Sequence, residues 1–191
     1  MNTEDPRLKH AVEMEGCTDH FYLDGAGLVT IGVGCRISIM DRGAGLQMFL
    51  DDGDLASLEQ IGADYETVRH MKPGLALKEY RQATRCRMRD DQIVALFNER
   101  WHAIQLEIEA YTGPISELPM PAQMGIMDMA FNVGATGVVH GFPSFTKAFE
   151  TRDWATCAIE CIRLENPPHS NGVQPSRNVW TADQFKSIAA E

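Results

Sequence analysis

The chain has no long apolar run, no surplus of positive charge and no paired-cysteine motif, and each absence removes a class of protein. Its longest stretch free of Asp, Glu, Lys and Arg runs from Met129 to Thr146 and is interrupted by Asn132, His140, Pro143 and glycines, so it does not read as a membrane span. The first residues, Met1 to Arg7, lack the apolar core of a signal peptide. A soluble protein, synthesised in the cytoplasm without a signal peptide, is expected; if it acts outside, something else delivers it. Asp and Glu number 27 against 17 Lys and Arg, a net charge of -10, and such a field repels polyanions, so neither nucleic acid nor an anionic membrane is an expected partner. Five cysteines (Cys17, Cys35, Cys86, Cys157, Cys161), odd in number and without a CxxC pair, suggest neither a zinc site nor an oxidised framework. The six histidines lack HExxH spacing, and no GxSxG or P-loop occurs. Asp51-Asp52-Gly53-Asp54 lacks the alternate ligands and distant Glu of a calcium loop. No cofactor and no metal are expected.

At 191 residues and 44% hydrophobic the chain can bury a full core, and the reading is a single domain of two lobes. Asp5-Pro6 starts a helix, Leu8, Ala11, Val12 and Glu15 share one face of it, and Gly16 ends it. From Phe21 to Val33 the period changes to that of a hairpin turning at Asp24-Gly25-Ala26-Gly27, with Val29, Ile31 and Val33 on one face and Leu28, Thr30 and Gly32 on the other. Between Met40 and Arg89 short helices and loops are expected, with an amphipathic stretch from Leu55 to Ile61 and a break at Pro73-Gly74. His20 reads as a loop residue, and Lys78, Arg81, Arg85, Arg87 and Arg89 as a basic cluster, either a solvated face or a holder of anionic polymer. Asp90 or Asp91 opens a long helix carrying Ile93, Phe97, Trp101, Ile104, Ile108 and Tyr111, closed at Gly113-Pro114. Ala122 to Val133 is apolar nearly all round, as in the centre of a helical lobe, and helices follow at Pro143 to Glu150, Asp153 to Arg163 and Ser176 to Ala190. The fold class is α+β: a small hairpin-bearing lobe and a larger, mostly helical lobe joined by a long helix.

Glycosidic hydrolysis needs an acid for the leaving oxygen and a second carboxylate for the water or the cationic sugar. Glu15 suits the first role, because an apolar stripe and the negative end of a helix dipole both favour a side chain that keeps its proton. Read alone, it is an ordinary helix-end glutamate, Asp24 an ordinary turn residue and Thr30 an ordinary strand residue.

Together, Glu15-Gly16, Tyr22-Leu23-Asp24, Gly27 and Thr30-Ile31-Gly32-Val33-Gly34 form one run, and this run resembles the phage-type lysozyme family in residue types and in gaps. The resemblance implies a lysozyme-like fold and a muramidase that hydrolyses peptidoglycan between N-acetylmuramic acid and N-acetylglucosamine with inversion. Glu15 is then the general acid, Asp24 positions or activates water and Thr30 assists. Inversion requires the two carboxyl groups to stand roughly 6.5 to 9.5 Å apart. Met129-Ala130-Phe131-Asn132-Val133-Gly134 resembles the family's cleft segment, which implies substrate contacts by Phe131 and Asn132 and, from the first motif, by Gly32. Gln174-Pro175-Ser176-Arg177 is similar to the family's Pro-x-Arg, placing Arg177 against the acid and the substrate. Met14 departs from the Asp that precedes the family's acid, and residues about 40–89 form an insert longer than in compact members. The lobes are expected at about 16–90 for the small one and about 1–15 with 91–191 for the helical one.

The resemblance implies peptidoglycan as partner and a monomer, acting on the cell wall in the periplasm after release as a phage endolysin or delivery as an antibacterial effector; an effector implies an immunity protein as a further partner. Two rival expectations stand beside it. A hydrolase of chitosan on the same scaffold suits the acidic charge. A glycan-binding module without catalysis would keep the groove but not the proton donor.

Overall fold

The structure, a computed structural model, describes residues 4–41, 43, 45–163 and 175–189. It is α+β: a small antiparallel sheet near the N-terminus, then a long helix and a larger helical region. The chain divides into two compact units, Met1–Glu99 and Arg100–Glu191. That division counts the first helix with the sheet, whereas the sequence reading joined residues 1–15 to the helical lobe. The reason is local: the Arg7 guanidinium reaches Asn98 and Glu15 lies under Gly34.

In the first unit α1 (Pro6–Glu15) begins and ends on its own signals. The Asp5 carboxylate accepts the Arg7 backbone N–H at 2.9 Å, and Gly16, at φ 74°, donates its N–H to Val12 O and turns the chain away. The strands β1 (Thr18–Leu23), β2 (Val29–Gly32) and β3 (Cys35–Arg36) form an antiparallel sheet in that order. Tyr22 lies opposite Thr30, and Thr30 opposite Arg36. Directly opposed residues point to the same face, so these three side chains form one row across the sheet. All four residues of β2 are buried. At Gly32, whose φ of +63° favours glycine, Leu96 and Ile93 of α4 (Asp90–Thr112) cover the strand.

The stretch after β3 holds β4 (Phe49–Leu50), α2 (Leu58–Arg69), α3 (Leu77–Ala83) and β5 (Cys86–Arg87), with β4 and β5 paired. The amphipathic stretch read from Leu55 becomes helical only at Leu58, because Ser57 and Gln60 exchange side chain-to-backbone hydrogen bonds there as a capping box. Buried Asp64 accepts the N–H groups of Arg85 and Cys86 and so anchors β5 to α2. His20 is not a loop residue: it lies buried in β1, its ring bonded to Asp19 and to Leu77 O. The basic cluster is mostly at the surface, Lys78, Arg81, Arg85 and Arg89 being exposed, and three of its arginines also make contacts within the fold. Arg81 pairs with Asp19, Arg87 donates to three backbone carbonyls (Arg81, Thr84 and Cys86), and the Arg89 guanidinium lies 3.4 Å from the Phe49 ring centroid.

In the second unit α5 (Met120–Val133) runs buried from Met124 to Ala130, as its nearly uniform apolar surface requires. Around it stand α6 (Ala135–Gly141), α7 (Pro143–Glu150), α8 (Trp154–Glu160) and α9 (Pro175–Ala189). Helix α8 begins one residue later than its sequence reading because Asp153 serves as its cap, accepting the Thr156 N–H, and it ends three residues earlier, at Glu160. Phe145, Phe149, Trp154 and Phe185 form an aromatic core, and Gly125 lies so close to Phe185 that a Cβ there would collide. One carboxylate enters this core: Asp128 of α5 is paired with Arg163 at 2.9 Å and Arg177 at 2.8 Å and accepts the Thr181 hydroxyl.

Candidate active site

Glu15 is the last residue of α1 and is partly buried. What sets its surroundings is the turn between β2 and β3. Gly34 adopts φ +63°, and a Cβ added there would lie 3.2 Å from Glu15 Cβ and 3.5 Å from Oε2. Only glycine adopts that backbone freely and lets the turn rest directly on the acid. The Gly-x-Gly of the sequence motif therefore has a mechanical meaning: both glycines take φ +63°, and at Gly34 the missing side chain also leaves room for Glu15.

Asp24 closes the β1–β2 hairpin. Its backbone N–H donates to Leu28 O, and its Oδ1 accepts the N–H groups of Ala26 and Leu28, both at 2.9 Å. Oδ2 accepts Nε–H of Arg36, also at 2.9 Å. The Asp24 side chain is 16% exposed and that of Arg36 is 63% exposed. Thr30 is buried and its hydroxyl donates to Leu28 O at 3.0 Å, which leaves its oxygen lone pairs as the part able to accept from a neighbour.

Tyr22 ties the two acids together. Burial pushes its phenol up to about 12, and the negative charges of Glu15 and Asp24 act in the same direction, with the Arg36 cation working against them. Charges from the helix end, the hairpin turn and the end of β3 thus all act on one tyrosine. Arg36 also lines a cavity of about 540 Å³ within the first unit, together with Asp41, Gln47, Leu96 and Glu99; Glu15, Tyr22, Asp24 and Thr30 are not part of its wall.

The residues read from the sequence fall into both units. Glu15, Asp24, Thr30 and Gly32 belong to the first. Phe131, Asn132 and Arg177 belong to the second. Phe131, partly buried, packs on the Trp101 ring with centroids 5.5 Å apart. Asn132 stands near the end of α5, and its Oδ1 is buried with no hydrogen-bond partner among the described residues. Arg177 is buried and gives its Nε–H to Asp128. Of the Gln174-Pro175-Ser176-Arg177 run, Gln174 lies outside the described residues. Among the described residues, no group of three or more His, Cys, Asp and Glu converges as metal ligands do. Nor is any helix long and apolar enough to cross a membrane.

Sequence reasoning overlooked Arg36. Its only signal is position: it follows the glycine turn by two residues, where pairing with β2 returns it to Asp24. No family model and no curated protein matches the chain.

Proposed function

We propose that the protein is a lysozyme-like glycoside hydrolase, a muramidase that cleaves bacterial peptidoglycan between N-acetylmuramic acid and N-acetylglucosamine with inversion. The observation that carries this reading is that the turn into β3 touches both acids: Gly34 rests on Glu15, and Arg36, two residues on, bonds Asp24. The motif run resembling phage-type lysozymes adds to it. In this mechanism Glu15 gives its proton to the glycosidic oxygen as the bond to the anomeric carbon breaks. Asp24, fixed in the hairpin turn, orients a water molecule and takes its proton as the water oxygen bonds to that carbon from the opposite face. Thr30 supplies an acceptor beside the same turn. The site of action is the cell wall, reached by release as an endolysin or by delivery as an effector.

The test is digestion of purified peptidoglycan with mass spectrometry of the products. Reducing-end muramic acid is expected. An anhydro product or released peptides would replace this reading by a transglycosylase or an amidase. Glu15→Gln should keep glycan binding and lower kcat by about 10²- to 10⁴-fold, measured by release of reducing ends. A second reading, hydrolysis of chitosan, is favoured by the net charge of -10. Turnover of chitosan but not of peptidoglycan would decide for it.

A further inference from the structure

We propose that Arg36 is a positioning residue for the water-holding carboxylate, a role that rests on the hydrolytic reading of Glu15 and Asp24. An ionised carboxylate offers about four acceptor sites, two on each oxygen. On Asp24 the turn fills both sites of Oδ1 with the N–H groups of Ala26 and Leu28. Arg36 Nε–H fills one site of Oδ2. One acceptor direction is left on Oδ2 for a water molecule, and which one is left depends on Arg36.

The sheet makes this placement specific. Arg36 is paired with Thr30 and Thr30 with Tyr22, so its side chain leaves the same face as the tyrosine that senses both acids. Strand pairing, not chance contact of a long side chain, brings the guanidinium to the carboxylate. An ion pair with one partner 63% exposed holds little of the fold together. Removing Arg36 should therefore leave stability nearly unchanged and affect the orientation of the carboxylate and its water, where small displacements cost rate.

The experiment compares kcat and KM on soluble peptidoglycan strands for the wild type, Arg36→Ala, Arg36→Lys, Asp24→Asn and the Asp24→Asn/Arg36→Ala double variant. Asn at 24 keeps the Oδ1 acceptor that closes the hairpin, so the comparison stays within a folded protein, checked by circular dichroism and thermal melting. Arg36→Ala should lower kcat on the order of tenfold and leave KM within about twofold. Lysine retains the charge and should restore more than half of the lost rate, though without the planar guanidinium. In the Asp24→Asn background the alanine should change nothing further, because the group it positions is already disabled. Wild-type kcat in Arg36→Ala, an equal loss in the Asp24→Asn background, or a rise in KM alone would each overturn the role. A wild type that cuts no glycan would remove the hydrolytic reading itself, and Arg36's part with it.

Discussion

Tyr22 offers a way to weigh the two acids with a single chromophore. Its phenol is raised from an ordinary 10.0 to about 12 by burial first and by the charges of Glu15 and Asp24 next. The unfolded chain gives up this proton near pH 10, so the stability that depends on the neutral phenol is complete below pH 10 and is lost as the pH climbs towards 12. Ultraviolet titration, with Tyr22→Phe identifying the transition, should place the midpoint of Tyr22 near 12 in the wild type. Glu15→Gln and Asp24→Asn should each lower it, because each removes a negative charge that opposes ionisation. Arg36→Ala should move it the other way. A midpoint indifferent to both acid substitutions would mean that the tyrosine does not stand between them.

Among the elements, those written in local chemistry were legible in advance and those held by distant partners were not. Helix α1 was readable at both ends because Asp5, Pro6 and Gly16 act within a few residues of themselves. The hairpin was readable because Asp24 bonds to Ala26 and Leu28, its own turn. By contrast, His20 is fixed by Leu77 O and by Asp19, which also holds Arg81, and β2 is covered at Gly32 by α4. Leu77 lies 57 residues from His20 and Asp19 lies 62 from Arg81, beyond a short window of sequence, so His20 read as loop and the pairing of Arg81 went unseen. The candidate site shows the same division: Glu15 and Asp24 lay in one run, whereas Arg36 reaches Asp24 only through strand pairing. The local device at α1 is testable by itself. Asp5→Ala should cost about 1 kcal/mol of stability at neutral pH, read as a shift in the urea midpoint. The Asp5 carboxyl is held below its usual 3.8 chiefly by its hydrogen bond from the Arg7 side chain. Its contribution is therefore present above about pH 4 and fades as the pH falls through the lowered folded value. Wild type and variant should converge in acid, and a penalty that persists there would assign the loss to something other than the carboxylate.

At the scale of the whole molecule the dominant fact is charge. A protein of net charge -10 acting on an anionic wall works against its own field, whereas the same protein acting on cationic chitosan is drawn to its substrate. The two readings therefore demand opposite responses to salt. Raising ionic strength from 0.01 M to 0.15 M shortens the screening length from about 30 Å to about 8 Å, which weakens the field over most of a polymer's approach but leaves contacts within the site nearly intact. On soluble peptidoglycan strands kcat/KM should rise severalfold across that range, with the change carried by KM and kcat nearly constant, because salt alters encounter and not the proton transfer between Glu15 and the glycosidic oxygen. On chitosan the same titration should lower kcat/KM. If kcat/KM on peptidoglycan instead falls with salt, a local positive surface guides the strand. The exposed Lys78 and Arg85 would be the first place to look, since Arg36, Arg81, Arg87 and Arg89 are already engaged within the fold.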